Sequence, residues 1–203
     1  MSATLNAKIF SEYFCEFGCS SIIIPGRAFP VKAFFLEDAI ALTGFEPELG
    51  SDCIYRNKPS RKCDEQVGAR SEVQKRAIWS KQISTTLAGH YEPNVIKTLI
   101  TIDESVINTS LIVRLVSRIC SDPQQGAVLV FVPGIAEIRD IVELLSQSLD
   151  PSTTRVLPLH SLLSTTEQQR VFEIPPLTVR KIVVGTNIAE TSITIPDVVN
   201  NSI

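Results

Sequence analysis

The chain has no pair of cysteines at C-x-x-C spacing, and only two histidines, His90 and His160, among its 203 residues. Its five cysteines, Cys15, Cys19, Cys53, Cys63 and Cys120, are an odd set with too few co-ligands for a zinc site, so no metal centre is expected. They read as reduced thiols in a reducing compartment. No window approaches 18 uninterrupted apolar residues, which argues against a membrane-spanning helix and a membrane partner. The amino terminus lacks the basic-then-apolar layout of a secretory signal. The stretch "KPSRK" (58–62) is too short and mixed to direct the chain to the nucleus, and a cytoplasmic placement is expected. There is no G-x-x-x-x-G-K-[ST] loop, so the cradle that phosphoryl transfer needs for β- and γ-phosphates is absent. A net charge of −3 excludes nucleic-acid binding by bulk charge. It leaves open phosphate binding by backbone amides and helix N-termini.

What is present is an alternation of two periods. "SSIIIPG" (20–26), "GAVLVFVPG" (126–134), "RVLPLH" (155–160) and "RKIVVGT" (180–186) are short, β-branched runs bounded by Gly, Pro or polar residues. Such runs suit strands of a parallel sheet, buried on both faces. Between them, Leu111, Ile112, Leu115, Val116 and Ile119 follow helical spacing, as do Ile138, Ile141, Val142, Leu145 and Leu149. "STTEQQRVF" (164–172) predicts a short helix ending before Pro175 and Pro176. The pattern predicts an α/β domain with right-handed crossovers. Residues 50–92 break it. They have little apolar periodicity, and within 56–81 eight basic residues face three acidic ones, a net +5. This stretch reads as a solvated, poorly ordered insertion, with an RNA-contacting arm as the alternative.

In open α/β sheets, ligands collect beyond the carboxyl ends of the strands. Gly134 comes just after the 127–132 strand and opens a helix, where backbone N–H groups can meet an anion; equally, it can be a plain turn residue. His160 and Ser161 stand at the next strand end, with a structural histidine as the alternative for His160. Thr186 and Asn187 stand at the third. Asn187 and Glu190, three apart, can form a capping pair, which leaves Thr186, Thr191, Ser192 and Thr194 unexplained. The chemistry alone points to a phosphate binder without naming the phosphate.

"TNIAETSITI" (186–195) resembles motif V of the DEAH-box RNA helicases. "MSATLNA" (1–7) resembles the end of their first RecA-like domain, with Ser2-Ala3-Thr4 as motif III, and "IPGRAFPVKAFFLED" (24–38) the segment joining their two RecA-like domains. "GAVLVFVPGIAEI" (126–138) is similar to motif IV, and "LHSLLSTTEQQRVF" (159–172) to the family's next segment. Five blocks occur in the family's order, and the long insertion resembles that of a branch with multidomain cytoplasmic members.

The resemblance implies a RecA-like parallel sheet flanked by helices, from an incomplete helicase C-terminal domain. Residues 1–26 would end a first RecA-like domain and residues 27–203 would form part of the second, with a basic, flexible insertion at about 50–92. Gly134, Ser161, Thr186 and Asn187 would contact single-stranded RNA. Phe172 would stack on the nucleotide base, with helix packing on the sheet as its alternative. Ser192 would position the attacking water, and Thr194 would lie near the ribose. Where the family often has an acid two residues after Thr194, this chain has Pro196, with Asp197 next to it. Ser2 and Thr4 would couple the domains. The hydroxyls of 186–194 would thus serve RNA and nucleotide from one strand end. The cofactor implied is ATP with Mg²⁺, bound mainly by parts outside this chain, and the protein partner is the first RecA-like domain. There is no D-E-A-H, and the family's motif VI lies beyond motif V. The expectation is a helicase segment, working 3′ to 5′ in its parent and inactive by itself. A short RNA-binding or regulatory module, or a non-functional truncated product, stays open. "NNSI" does not resemble the strand with which the family continues, which predicts a bare sheet edge.

Overall fold

The computed structural model describes residues 7–18, 22, 31–48, 50–55, 66–122, 126–186, 195 and 197–202. Four parallel strands, β1 (Ala127–Phe131), β2 (Thr154–Leu159), β3 (Arg180–Gly185) and β4 (Val198–Ser202), form a sheet in the order β2-β3-β1-β4. All three predicted strands that fall within the described residues are present. The fourth predicted run, 20–26, lies largely outside them.

The two faces of the sheet are separated by strand alternation. Val128, Val130 and Val132 point to one face with Ile182 and Val184, where Val116, Ile138, Ile141 and Leu145 cover them. Val116 comes from α5 (Thr109–Cys120) and the other three from α6 (Ile135–Ser148), the two helices the sequence periodicity predicts. Leu129 and Val183 point to the opposite face, which Leu157, Leu159, Val171 and Ile195 complete. With both faces covered, a strand such as Ala-Val-Leu-Val-Phe has no polar alternation to show.

The helices start where their capping chemistry starts them. The Asn108 side chain accepts from the Leu111 amide at 3.0 Å and opens α5. α7 (Thr165–Gln169) opens on a capping box: Glu167 N–H donates to Ser164 Oγ at 3.3 Å and Ser164 N–H to Glu167 Oε2 at 3.0 Å. A single 3-10 turn, Arg170–Phe172, continues from α7.

Two expectations are not met. Val198–Ser202 forms β4, paired with β1 in the register Val128↔Asn200, Leu129↔Asn201, Val130↔Ser202, with an irregularity between Ala127 and Val128. Asn and Ser have low strand preference. The open backbone groups along β1 outweigh it, because each must find a partner. The second departure is in the basic stretch, where α3 (Gln66–Leu87) runs for 22 residues, about 33 Å. Its charged surface hides a short apolar seam: Ile83 and Leu87 pack on a helical cluster of Ile40, Phe45, Val95, Leu99, Ile102 and Leu111. That cluster joins α2 (Leu36–Thr43), α4 (Pro93–Thr101) and the outer face of α5.

Arg76 fixes α3 to α4. Its Nη2 donates to the carbonyls of Ile100 at 2.9 Å and Ile102 at 2.7 Å, at the α4 carboxyl terminus. Its guanidinium stacks over Trp79, 4.0 Å from the ring centroid, and over Tyr55 at 4.7 Å. A cation at a helix carboxyl end satisfies orphan carbonyls and opposes the macrodipole. One of the eight basic residues of this stretch is therefore structural. α2 is held in turn by Tyr91, whose hydroxyl donates to Asp38 Oδ1 at 2.7 Å. The amide of Phe35 and that hydroxyl hold the Asp38 carboxyl below its usual range, while the bond to Asp38 pushes Tyr91 up to about 12.

Candidate nucleic-acid and nucleotide sites

Strand register brings the sequence-predicted residues of the carboxyl edge into one row. Phe131 of β1 and Leu159 of β2 both pair with Gly185 of β3, and the Val132 amide donates to the Gly185 carbonyl at 2.9 Å. Just beyond that line stand Gly134, His160, Ser161 and Thr186, across three neighbouring strands spaced about 4.8 Å apart. Ser161 is exposed. His160 Nδ1 accepts from the Leu162 amide at 3.1 Å, which puts the proton of the neutral ring on Nε2. Gln168 Nε2 donates to the carbonyls of Leu163 at 2.9 Å and His160 at 3.4 Å, so α7 braces this loop from behind.

Thr186 is only 9% exposed, and its Oγ1 has no hydrogen-bond partner among the described residues. A buried hydroxyl left without a partner costs on the order of 1–3 kcal/mol, which is a reason to look for a ligand there. Gly134 is the N-cap of α6 in extended backbone, a conformation open to any residue. A Cβ there would sit 2.7 Å from Glu137 Oε2, the far end of a side chain that can swing away. The Glu137 carboxylate thus folds back over the amino end of α6, where an anion was expected to find free amides. Sequence reasoning missed Glu137. The signal was legible as an acid in the first helical turn after Gly134, the usual complement to a helix dipole.

The amino edge of the sheet, about 16 Å away along β3 between Thr186 and Lys181, has a different chemistry. Lys181 is 1% exposed. Its Nζ donates to the carbonyls of Val171 at 2.8 Å and Glu173 at 3.0 Å. It also meets Asp197 Oδ1 at 2.6 Å, an ion pair whose angles fall outside those of a hydrogen bond. The two carbonyls flank Phe172. Val171 is fully buried against the sheet, whereas Phe172 is 42% exposed. Val171 thus packs on the sheet, with Phe172 partly exposed beside it. A cavity of about 460 Å³ opens beside this turn, between Pro175, Thr178, Arg180, Lys181, Thr154 and Asp197.

Asn187, Ser192 and Thr194 lie outside the described residues, as do Ser2 and Thr4. Thr186 stands at the carboxyl edge and Asp197 at the amino edge, where the Asp197 carbonyl accepts from Ala127 N–H at 2.7 Å. Asp197, the acid nearest the place where the family often has one, is engaged by Lys181.

Residues 110–200 match the helicase conserved C-terminal domain. Human DHX57 is 39% identical over 231 residues, covering 98% of this chain and 16% of its own length. Rat DHX36, named an ATP-dependent DNA/RNA helicase, is 39% identical over 205 residues, covering 98% and 20%. Human DHX29, named an ATP-dependent RNA helicase, is 37% identical over 215 residues, covering 98% and 15%. A 98% share leaves no room for 50–92 to fall outside the aligned span. The chain spans about a fifth or less of the length of these relatives. The solved E. coli DExH-box NTPase HrpB overlays 47% of this chain and 12% of its own, at 28% identity and a TM-score of 0.42, too loose to carry an argument. Among the described residues, no helix is long and apolar enough to cross a membrane. The chain belongs to the DEAH-box RNA helicases, and its residues 110–200 match their helicase conserved C-terminal domain.

Proposed function

We propose that this chain serves an ATP-dependent RNA helicase by holding the RNA backbone at the carboxyl edge of its sheet and the nucleotide base at the amino edge. The observation that carries the first half is the row of Gly134, Ser161 and Thr186, ending on a buried hydroxyl without a partner among the described residues. A phosphodiester oxygen accepts from such a hydroxyl without reading base identity, and a single strand can lie along a row of that kind. Asn187 extends the row by sequence. The Phe172 ring, exposed at the turn where Val171 is buried, offers a π-face that fits a purine or pyrimidine alike. ATP with Mg²⁺ would supply the phosphoryl transfer that drives domain closure. The phosphate cradle and the Mg²⁺-holding acid are not among this chain's residues, and Ser192 and Thr194 would complete the site from its side. Closure around nucleotide would then move the RNA-contacting row as one body.

The domain boundary accords with the same reading. Residues 1–26 belong with a preceding RecA-like domain, which Ser2 and Thr4 would couple to this one, and residues 27–203 with the second. Support comes from α1 (Ala7–Tyr13) and the turn after it, where Tyr13 and Phe17 are exposed and Phe10, Phe14 and Phe17 stack mainly on one another. An aromatic face of this kind suits a helix that docks on a further domain.

The test is Thr186→Ala in the full-length helicase that carries this segment. The RNA concentration giving half-maximal ATPase stimulation should rise about tenfold while KM for ATP changes little. Equal losses in both would remove the RNA role from Thr186.

A further inference from the structure

Among the described residues, Lys181 is the one fully buried charged side chain of the sheet, and nothing in the proposed function uses it. All three of its contacts go to two segments that the sequence sets apart. The carbonyls of Val171 and Glu173 bracket Phe172, and Asp197 stands three residues past Thr194. Two of the three ammonium protons go to the carbonyls, and the Asp197 carboxylate stands 2.6 Å away as counter-ion. A lysine that only filled space on this face would have been replaced at lower cost by an apolar side chain, since burying a charge is expensive unless it is paired and hydrogen-bonded.

We propose that Lys181 is a positioning residue for the nucleotide: it fixes the backbone on both sides of Phe172, so the ring stands clear of the sheet, and ties that turn to Asp197, just past the Ser192–Thr194 stretch. The inference rests on the nucleotide reading of Phe172. Two geometric facts support it. Val171 and Phe172 are consecutive in a 3-10 turn, about 120° apart, yet one is buried and the other 42% exposed, so the orientation of the turn decides which of them faces the sheet. The Arg155–Glu173 contact, at 3.1 Å, is the only other ion pair touching this turn among the described residues, and its side chains are 39% and 57% exposed. Exposed pairs of this kind hold geometry weakly. The buried clamp is what remains to fix the ring.

The experiment measures KM for ATP and kcat in the full-length helicase for Phe172→Ala, Lys181→Met, Lys181→Arg, Asp197→Asn and the double variant Phe172→Ala/Lys181→Met. Removing the ring should raise KM about threefold to tenfold, the scale of one aromatic stack. Lys181→Met should raise KM by a similar factor, with a smaller change in kcat, and add nothing in the Phe172→Ala background. Lys181→Arg should recover part of the loss. Asp197→Asn, which leaves the carbonyl contacts in place, should give a smaller rise of the same kind and carries the test if Lys181→Met does not fold. A normal KM for Phe172→Ala would overturn the nucleotide reading and the clamp with it. A raised KM for Phe172→Ala, with effects of Lys181 or Asp197 variants that are absent or multiply independently with it, would overturn the clamp alone.

Discussion

The two ends of β3 are five residues apart and chemically opposite. At the amino end Lys181 is buried with two carbonyls accepting from its ammonium and the Asp197 carboxylate beside it as counter-ion. At the carboxyl end Thr186 is almost as buried, with its hydroxyl unmatched among the described residues. One strand thus carries a polar group that completes the fold and another that the fold leaves incomplete. Burial alone does not distinguish them. The distinction lies in whether partners are supplied from within, and the proposed roles of the two groups, positioning for Lys181 and ligand contact for Thr186, follow it.

The sharpest way to break this contrast is to delete the matched end. Lys181→Ala strands the carbonyls of Val171 and Glu173 and leaves Asp197, 19% exposed, without its cation. Loss of one partner of such a pair should destabilise the 203-residue chain by about 3–5 kcal/mol in urea unfolding. A loss below about 1 kcal/mol would mean that the clamp is dispensable and the contrast false. Arg76 extends the comparison to the helical layer, because it too is a partly buried cation whose Nη2 finds two carbonyls within the fold, though its Nε has no partner among the described residues. Arg76→Ala removes two carbonyl contacts and two aromatic stacks, and should cost about 2–3 kcal/mol, read by the same titration.

How much of this was legible in the sequence divides along the same line. The β-branched runs at 127–132 and 180–185 and the helical faces of α5 and α6 were readable because burial on both faces, or on one stripe, leaves a periodic mark. The row of Gly134, Ser161 and Thr186 was readable because strand ends are where such folds place ligands. The partners of Lys181 were not, because they are backbone carbonyls and an acid sixteen positions on, and no pattern of side chains announces a carbonyl. α3 was missed for a related reason: few of its 22 residues are apolar enough to show a period, and Arg76 anchors it by contacts from Trp79, Tyr55 and the end of α4. β4 was missed because Asn and Ser argue against a strand, while the edge of β1 supplies one side of its pairing.

At the unmatched end the expected effects are smaller and of the other kind. Thr186→Val keeps the shape and removes a hydroxyl that has no described partner. Thermal or urea stability should hold within about 1 kcal/mol, and can rise, since no buried polar group is left wanting. RNA affinity should fall about tenfold, close to 1.4 kcal/mol. A large loss of stability would show that Thr186 is matched from within after all, and would make the two ends of β3 alike.

The smallest effect should have the opposite sign. Glu137 holds its carboxylate over the amino end of α6, 2.7 Å from where a Gly134 Cβ would stand, so an RNA phosphate approaching that helix end meets a negative charge already in place. Glu137→Gln removes the charge and keeps the length. It gives up a favourable interaction with the helix dipole of about 0.3–1 kcal/mol, a small loss in stability. In exchange it removes a like-charge barrier from the RNA-facing row, so RNA affinity should rise about twofold to threefold at low salt, with the gain fading as ionic strength increases. Thr186→Val and Glu137→Gln then move RNA affinity in opposite directions from neighbouring strand ends with little change in fold. If Glu137→Gln weakens RNA binding instead, the carboxylate is a contact and not a competitor.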